Sequence, residues 1–390
     1  MSITQIEAKN FRCLRDVRQS LGTFHILVGP NASGKTTFLD VLALLGGLVS
    51  NGLEATVSKR TQNFSDLLWN KSGTQFELAV EASIPDNQRQ CLTQPFESIR
   101  YEVAIGIDSI SHETSILAER ILLTGPHLKR LVINKETTKY DHFYPEVSPQ
   151  IDHHTTLSFK LGSHRSALGN LPEDESQFPV TVWFKNLLTS GVQPFTLNSQ
   201  AMRQPSPPGQ QRGFKPDGSN LPWTIDWLQK RAVENYQDWI SHLQTAIDDI
   251  EDINTIVRPE DRHCYMLIRY RGGLEVPSWM VSDGTLRLLA LTLLPYLPDL
   301  SGIYLIEEPE NGIHPRAVET IYQSLSSVYD AQVLLATHSP VMLSSAKLAE
   351  ILCFTKEGAT TIVSGNEHPN LKPWKGEVNL GVLFAGGVLG

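Results

Sequence analysis

The stretch HILVGPNASGKTTFLDVLALL, from His25 to Leu45, decides how this chain is read. An apolar run stops at Gly29, a turn of Pro30, Asn31, Ala32 and Ser33 follows, and Gly34-Lys35-Thr36-Thr37 opens a second apolar run with helical spacing. Residues Gly29 to Thr36 satisfy G-x-x-x-x-G-K-[ST], a pattern in which every fixed position has a chemical reason. The glycines let the loop curl so that the N–H groups of Asn31, Ala32, Ser33 and Gly34 point inward at phosphate oxygens. Lys35 reaches the outer phosphates, the Thr36 hydroxyl suits Mg²⁺, and Thr37 continues the first helical turn. The helix that starts here aims the positive end of its dipole at the same anion. A buried strand, a phosphate loop and a core helix are therefore expected in that order.

Working outward, composition sets bounds. With 390 residues, 41% hydrophobic and 19% charged, the chain is an ordinary globular protein with room for one large domain or a core with an insertion. A net charge of −9 argues against a surface built wholly to coat nucleic acid, though not against a local basic groove. The N-terminus MSITQIEAKNFRCLRD spreads its charges and lacks the apolar core of a secretory signal. The longest apolar runs, such as Phe38 to Val49, are too short to span a bilayer. Cys13, Cys91, Cys264 and Cys353 are scattered without a Cys-x-x-Cys pair, which suits reduced thiols rather than a disulfide framework or a zinc site. The expectation is a cytoplasmic protein with no membrane partner.

A second cluster lies far downstream. SGIYLIEEPENGIHP, Ser301 to Pro315, reads as a buried strand ending in carboxylates. Alone, Glu-Glu-Pro-Glu could be a surface acidic loop. Paired with a phosphate loop, it is where Mg²⁺ and the attacking water are held, Glu307 facing the metal and Glu308 polarising the water. AQVLLATHSP, Ala331 to Pro340, is another short buried strand, one helix later, which is β-α-β spacing. His338 at its end is placed to hydrogen-bond a γ-phosphate. Just upstream of the acidic strand, Ser282-Asp283-Gly284-Thr285 heads an apolar helix, with Ser282 as its N-cap and free N–H groups able to meet a phosphate.

In this order the motifs resemble the ATP-binding-cassette type of ATPase, and more narrowly the soluble RecF/SMC/OLD-like branch catalogued as AAA family ATPases. IEAKNFRCLRDVRQSL ahead of GPNASGKTT matches that branch's opening hairpin, and LIEEPENGIHP with ATHSP matches its Walker B, D-loop and H-loop region. The signature loop departs from the transporter form, with Ser-Asp-Gly-Thr in place of Ser-Gly-Gly-Gln. The resemblance implies an α/β head with a mixed sheet, and an ATP- and Mg²⁺-dependent hydrolase. Two heads would close on nucleotide, Ser282 and Gly284 of one meeting the ATP held by Lys35 and Thr36 of the other, as a homodimer or higher oligomer. It also implies Glu308 as general base, Glu307 as metal partner, His338 as γ-phosphate sensor, and Asn311 and His314 in the D-loop. Gln62 is the candidate Q-loop residue and metal neighbour. Arg12 is left between a nucleotide contact and a solvated arginine. OLD-like relatives carry a C-terminal nuclease domain, for which the chain after His338 is expected to be too short. ATPase-only members of the branch are typical of bacterial multi-gene operons, including anti-phage defence, where a separate protein is the effector. The other reading is a RecF-like ATPase that clamps DNA, or a slow scaffold.

The middle of the chain is expected to be a β-rich flank followed by helices. FELAVEASI and IRYEVAIGI alternate as half-buried antiparallel strands do. The domains are placed at 1–171 for the phosphate loop and β-rich flank, 172–259 for a helical insertion, and 260–390 for the second ATPase half. Within the insertion, residues 198–221 are rich in Pro, Gly and Gln and read as a mobile loop. Asp152-His153-His154 could be a metal fragment but lacks partner carboxylates at a known spacing. HLKRLVINKETTK, His127 to Lys139, is mildly basic and more in keeping with a solvated strand face than a nucleic-acid contact.

Overall fold

The computed structural model describes residues 2–92, 94–126, 129–136, 151–152, 162–210, 213–371 and 379–387. Its strands begin with β1 (Ile3–Phe11), β2 (Leu14–Ser20), β3 (Phe24–Val28) and β4 (Gln75–Ser83). There follow β5 (Ser98–Ile107), β6 (Thr114–Thr124), β7 (Lys129–Glu136), β8 (Ile151–Asp152) and β9 (Val192–Phe195). The last seven are β10 (Ile250–Val257), β11 (Cys264–Tyr270), β12 (Leu274–Pro277), β13 (Ile303–Glu307), β14 (Gln332–Ala336), β15 (Ile351–Glu357) and β16 (Ala359–Ser364). The chain divides into two compact units. One comprises Met1–Thr23, Gly29–Val192 and Phe354–Val363; the other comprises Phe24–Val28, Gln193–Cys353 and Ser364–Gly390.

The first unit holds a sheet in the order β2-β1-β4-β5-β6-β7-β8. The β1–β2 hairpin pairs antiparallel, and β4, β5 and β6 continue the antiparallel ladder, so the expected β-rich flank is present. The expected half-burial is not. On β4, Phe76, Leu78, Val80 and Ala82 are buried on one face, while Glu77 and Ala79 are buried on the other. The polar faces are covered because they pair internally: Arg100 on β5 donates to both carboxylate oxygens of Glu7 on β1, at 3.0 and 2.8 Å. Helix α1 (Lys35–Asn51) buries Phe38, Leu42, Leu45 and Val49 as well as Leu39 and Leu48, apolar around most of its circumference as a core helix must be. Helix α2 (Pro179–Asn186) sets Phe184 edge-on to Tyr101 of the sheet.

The second unit is organised by parallel strands in the order β15-β3-β14-β13, with β9 beyond β13. From Phe354 through Val363, the end of β15 and all of β16 but its last residue belong to the first unit. Helix α3 (Leu221–Arg231), α4 (Val233–Leu243), α5 (Asp283–Leu293) and α6 (Pro315–Ser326) supply Leu228, Trp239, Leu289 and Ile321 to the core that also contains Ile26, Ile306 and Leu335. Helix α6 connects β13 to the parallel β14, which is the β-α-β crossover expected from the spacing.

The stretch 172–259 is not a lobe of its own. Its beginning, through Val192, lies in the first unit and the remainder in the second, where α3 and α4 pack into the common core and β10 pairs with β11. The segment 198–221 also differs from the loop expected. Met202, Phe214 and Leu221 are buried, Ser206 exchanges backbone hydrogen bonds with Cys264 at 2.7 and 2.9 Å, and Trp223 Nε1 donates to the Pro207 carbonyl at 2.8 Å. Proline and glycine mark turns here, but scattered apolar side chains dock them.

Candidate nucleotide-binding site

The phosphate loop leaves β3 at Gly29, whose φ of 148° few L-residues adopt. A Cβ there would lie 2.2 Å from the Phe354 carbonyl oxygen. Gly34, at φ 107°, caps α1, and its Cβ would meet Thr360 Oγ1 at 2.6 Å and Cys13 Sγ at 3.0 Å. Both glycines are thus required by conformation and by close neighbours. Ala32 is left-handed as well, at φ 60°. Asn31, Ala32 and Thr36 are exposed, Thr37 half-buried, and Ser33, Gly34 and Lys35 buried. Lys35 Nζ donates to the Gly29 and Pro30 carbonyls at 2.8 and 3.0 Å, so the ammonium sits over its own loop. Thr360 Oγ1 donates to the Ser33 carbonyl at 2.8 Å, and Thr360 N to the Cys13 carbonyl at 3.1 Å, tying the loop to the β1–β2 turn.

Two features fit an anion. The first turn of α1 has neither an acidic residue nor a side-chain cap, so no carboxylate of that turn competes with an anion for the positive end of the helix dipole. The Ser33 hydroxyl is buried with no hydrogen-bond partner among the described residues. Arg12, by contrast, has a partner of its own: its guanidinium pairs with Asp40 of α1 at 3.2 Å, beside Arg60, which holds the same carboxylate through two nitrogens. Gln62 lies exposed on a bend in the first unit. Asp152 is on β8, and His153 and His154 lie outside the described residues, as do parts of the basic stretch 127–139.

In the second unit, the parallel strands bring the remaining motifs to one edge. Leu27, Ala336 and Glu307 share a register across β3, β14 and β13. From that edge the chain leaves into Gly29, Thr337 and Glu308 respectively. His25, which opens β3, is buried with Nδ1 3.2 Å from the Glu350 carbonyl; desolvation pushes its pKa down, so it is a neutral core residue. Glu307 and Glu308 are exposed. Glu308 has φ 46°, an uncommon backbone for a non-glycine residue. Its N–H donates to the Ala336 carbonyl at 2.8 Å, and its carboxylate accepts from Asn311 Nδ2. His338 is half-buried, its N–H donating to Glu310 Oε1 at 3.0 Å. His314 caps its own helix, Nδ1 accepting from Arg316 N at 3.3 Å.

The signature turn is built as its sequence requires. Ser282 Oγ accepts from Thr285 N at 3.2 Å and lies 2.8 Å from Thr285 Oγ1. Gly284 lies against the D-loop backbone, where a Cβ would stand 2.3 Å from the Gly312 carbonyl oxygen. Two residues of this region escaped sequence reasoning. Arg203 pairs with Asp283 and donates twice to the Val281 carbonyl, at 3.1 and 2.9 Å, so a residue of the Pro- and Gln-rich segment holds the signature turn. Glu310 joins the acidic turn to Thr337 and His338; its only signal is being a third carboxylate beyond the pair. Among the described residues, no helix is long and apolar enough to cross a membrane.

Residues 24–344 match the protein family described as "AAA domain, putative AbiEii toxin, Type IV TA system". Over 356 residues the chain is 22% identical to the OLD nuclease of Thermus scotoductus, covering 87% of this chain and 59% of that protein. It therefore spans less than two thirds of that relative's length. The fold is similar to an SMC head bound to the C-terminal winged-helix domain of ScpA, with a TM-score of 0.55 at 13% identity, covering 93% of this chain and 98% of that one. It is also similar to the Smc head with an extended coiled coil bound to the C-terminal domain of ScpA, derived from Pyrococcus furiosus. There the TM-score is 0.50 at 12% identity, over 93% and 96% of the two chains.

Proposed function

The chain belongs to this AAA-domain family and has the head fold of ABC-type P-loop ATPases of the OLD/SMC branch, and from that premise we propose that it hydrolyses ATP with Mg²⁺ and that ATP closes two heads to control a separately encoded effector. The observation that carries the reading is the common register of Leu27, Ala336 and Glu307, because the three segments leaving that edge are the phosphate loop, Thr337-His338 and Glu308. Lys35 and the loop N–H groups hold the phosphate chain. Glu308 takes the proton of the attacking water, and His338 donates to the γ-phosphate. Thr36 and Glu307 are the candidate oxygen donors for Mg²⁺, which would supply charge neutralisation at the phosphates.

Ser282 and Gly284 are assigned to the nucleotide of a second copy. In the isolated chain the Ser282 hydroxyl is engaged by Thr285, so ATP favours closure only by its greater affinity for the closed pair. The description of the family as a toxin component, and the nuclease among the relatives, support an ATPase that works with a destructive effector, in keeping with anti-phage defence.

Measured on the purified chain, Lys35→Ala should abolish ATP binding. Glu308→Gln should bind ATP yet hydrolyse it roughly 10²–10⁴-fold more slowly. Light scattering of Glu308→Gln with ATP and Mg²⁺ should show a dimer or a multiple of dimers, and adding Ser282→Arg should return it to the nucleotide-free size. Hydrolysis by Glu308→Gln at the wild-type rate removes Glu308 from its role. An assembly indifferent to ATP in both variants rejects the gating, and a salt-sensitive affinity for DNA would favour the clamp instead.

A further inference from the structure

Three carboxylates gather at the end of β13, Glu307 as its last residue and Glu308 and Glu310 beyond it, and the proposed roles employ only the first two. Glu310, the third, is engaged by two donors from β14's exit. Its Oε1 accepts from Thr337 Oγ1 at 2.6 Å and from the His338 N–H at 3.0 Å. Its Oε2 is buried and has no hydrogen-bond partner among the described residues. Two donors converging on a single carboxylate oxygen make charge-assisted bonds, stronger than those to a neutral acceptor. Burying the other oxygen unpaired is costly, so this geometry persists against an energetic objection.

What the carboxylate joins is specific. Glu308 N donates to the Ala336 carbonyl at 2.8 Å, immediately before Thr337. Glu310 then grips Thr337 and His338, on the far side of Pro309, whose ring fixes φ between the two tethers. The turn that presents Glu308 is thereby stapled at two points to the segment that presents His338. Asn311 closes the turn from within, its N–H donating to the Glu308 carbonyl at 3.1 Å. Thr337 N also donates to the Leu27 carbonyl at 3.2 Å, so the staple is anchored to the end of β3. All of these groups lie in the second unit.

We propose that Glu310 is the positioning residue of the reaction, holding the Glu308 turn and the His338 segment together so that the water-orienting carboxylate and the phosphate-sensing imidazole keep one relative position. The proposal rests on the roles given to Glu308 and His338 above. Glu310 touches neither water nor phosphate in it; it acts through its neighbours.

The test compares Glu310→Ala with Glu310→Gln in the full chain. Glutamine keeps a carbonyl oxygen that can accept from both Thr337 and His338, whereas alanine keeps nothing. Amide hydrogen exchange, read on peptides covering 337–339 and β14 without nucleotide, should quicken by roughly tenfold or more at 337–339 in Glu310→Ala, with β14 unchanged. In the same variant kcat for ATP should fall roughly 10- to 100-fold, the scale of a small misplacement of reacting groups. KM should stay within about twofold, since binding is not what the staple supplies. Glu310→Gln should restore both readouts to within about threefold of wild type. Unchanged exchange at His338 in Glu310→Ala overturns the staple. Faster exchange with wild-type kcat, or failure of glutamine to rescue, overturns the positioning role. Absence of turnover in the wild-type chain rejects instead the assignments of Glu308 and His338, and the exchange measurement still decides whether the staple exists.

Discussion

The phosphate loop and the acidic turn both follow a parallel strand and both need backbone in the left-handed half of conformational space, yet they reach it with different residues. The loop uses Gly29 and Gly34, at φ 148° and 107°. The acidic turn uses Glu308 at φ 46°. Under the proposed roles, the difference follows from which atoms would do the chemistry. Where backbone N–H groups are the ligands, a side chain is dispensable and glycine relieves the strain. Where a carboxylate is the reagent, glycine is excluded, and strain of roughly 1–3 kcal/mol must be held by neighbours. At Glu308 those neighbours are the Ala336 carbonyl and Asn311.

The sharpest way to break this comparison is Glu308→Gly. It removes the proposed reagent and relieves the strain at once, so activity and stability should part company. ATP hydrolysis should fall roughly 10²–10⁴-fold. The denaturation midpoint should hold or rise, because relief of left-handed strain of about 1–2 kcal/mol opposes the extra chain entropy of glycine. A variant that loses activity and stability together would show that Glu308 is not strained, or that its carboxylate contributes to folding through Asn311.

The reciprocal change on the loop is Gly29→Ala. The new Cβ would meet the Phe354 carbonyl oxygen at 2.2 Å, and that oxygen belongs to backbone that cannot rotate away. Overpacking and a disfavoured φ together should lower stability by roughly 2–5 kcal/mol in denaturant titrations, with ATP binding lost as the loop reshapes. Wild-type stability would mean that the loop tolerates a side chain at its entrance, and the contrast with Glu308 would lose its basis.

The two regions also differ in how legible they were. The phosphate loop is local: strand, turn, lysine and helix lie within one short stretch, and their order and backbone shape follow from neighbours in sequence. The strand-end placement of Glu307, Glu308 and His338 was equally readable, because apolar runs with β-α-β spacing admit few arrangements. Ser282 as an N-cap needed only the helix that follows it. What could not be read is what depends on residues far apart in the chain. Glu310 acquires its meaning from Thr337 and His338, and nothing in Glu-Glu-Pro-Glu tells which carboxylate turns inward. Arg203 stands among prolines and glutamines that suggest a loose loop, and its hold on Val281 and Asp283 exists only once Met202 and Phe214 are docked. The supposed insertion failed for the same reason. Trp239 and Leu228 promise an apolar helix face but not the partner it meets, and that partner is the common core rather than a lobe of their own.

The smallest and most delicate test lies at Ala32, the exception within the phosphate loop. It is exposed, its φ is 60°, and it is not glycine. If the loop's chemistry is carried by backbone alone, the methyl group is incidental and its strain is unrepaid. Ala32→Gly should remove left-handed strain of about 1–2 kcal/mol while adding unfolded-chain entropy that costs about 0.4–1 kcal/mol. The expected net is a gain of roughly 0–1.6 kcal/mol in denaturant titrations. ATP affinity should stay within about twofold, because the N–H groups facing the phosphates are unaltered. The comparison with Glu308 then becomes quantitative: both substitutions relieve a similar backbone strain, but only one deletes the side chain proposed to polarise the water. A loss of more than about 1 kcal/mol in Ala32→Gly would show that alanine preorganises the loop by restricting the unfolded chain. In that case the loop, like the acidic turn, would depend on a side chain held in strained backbone.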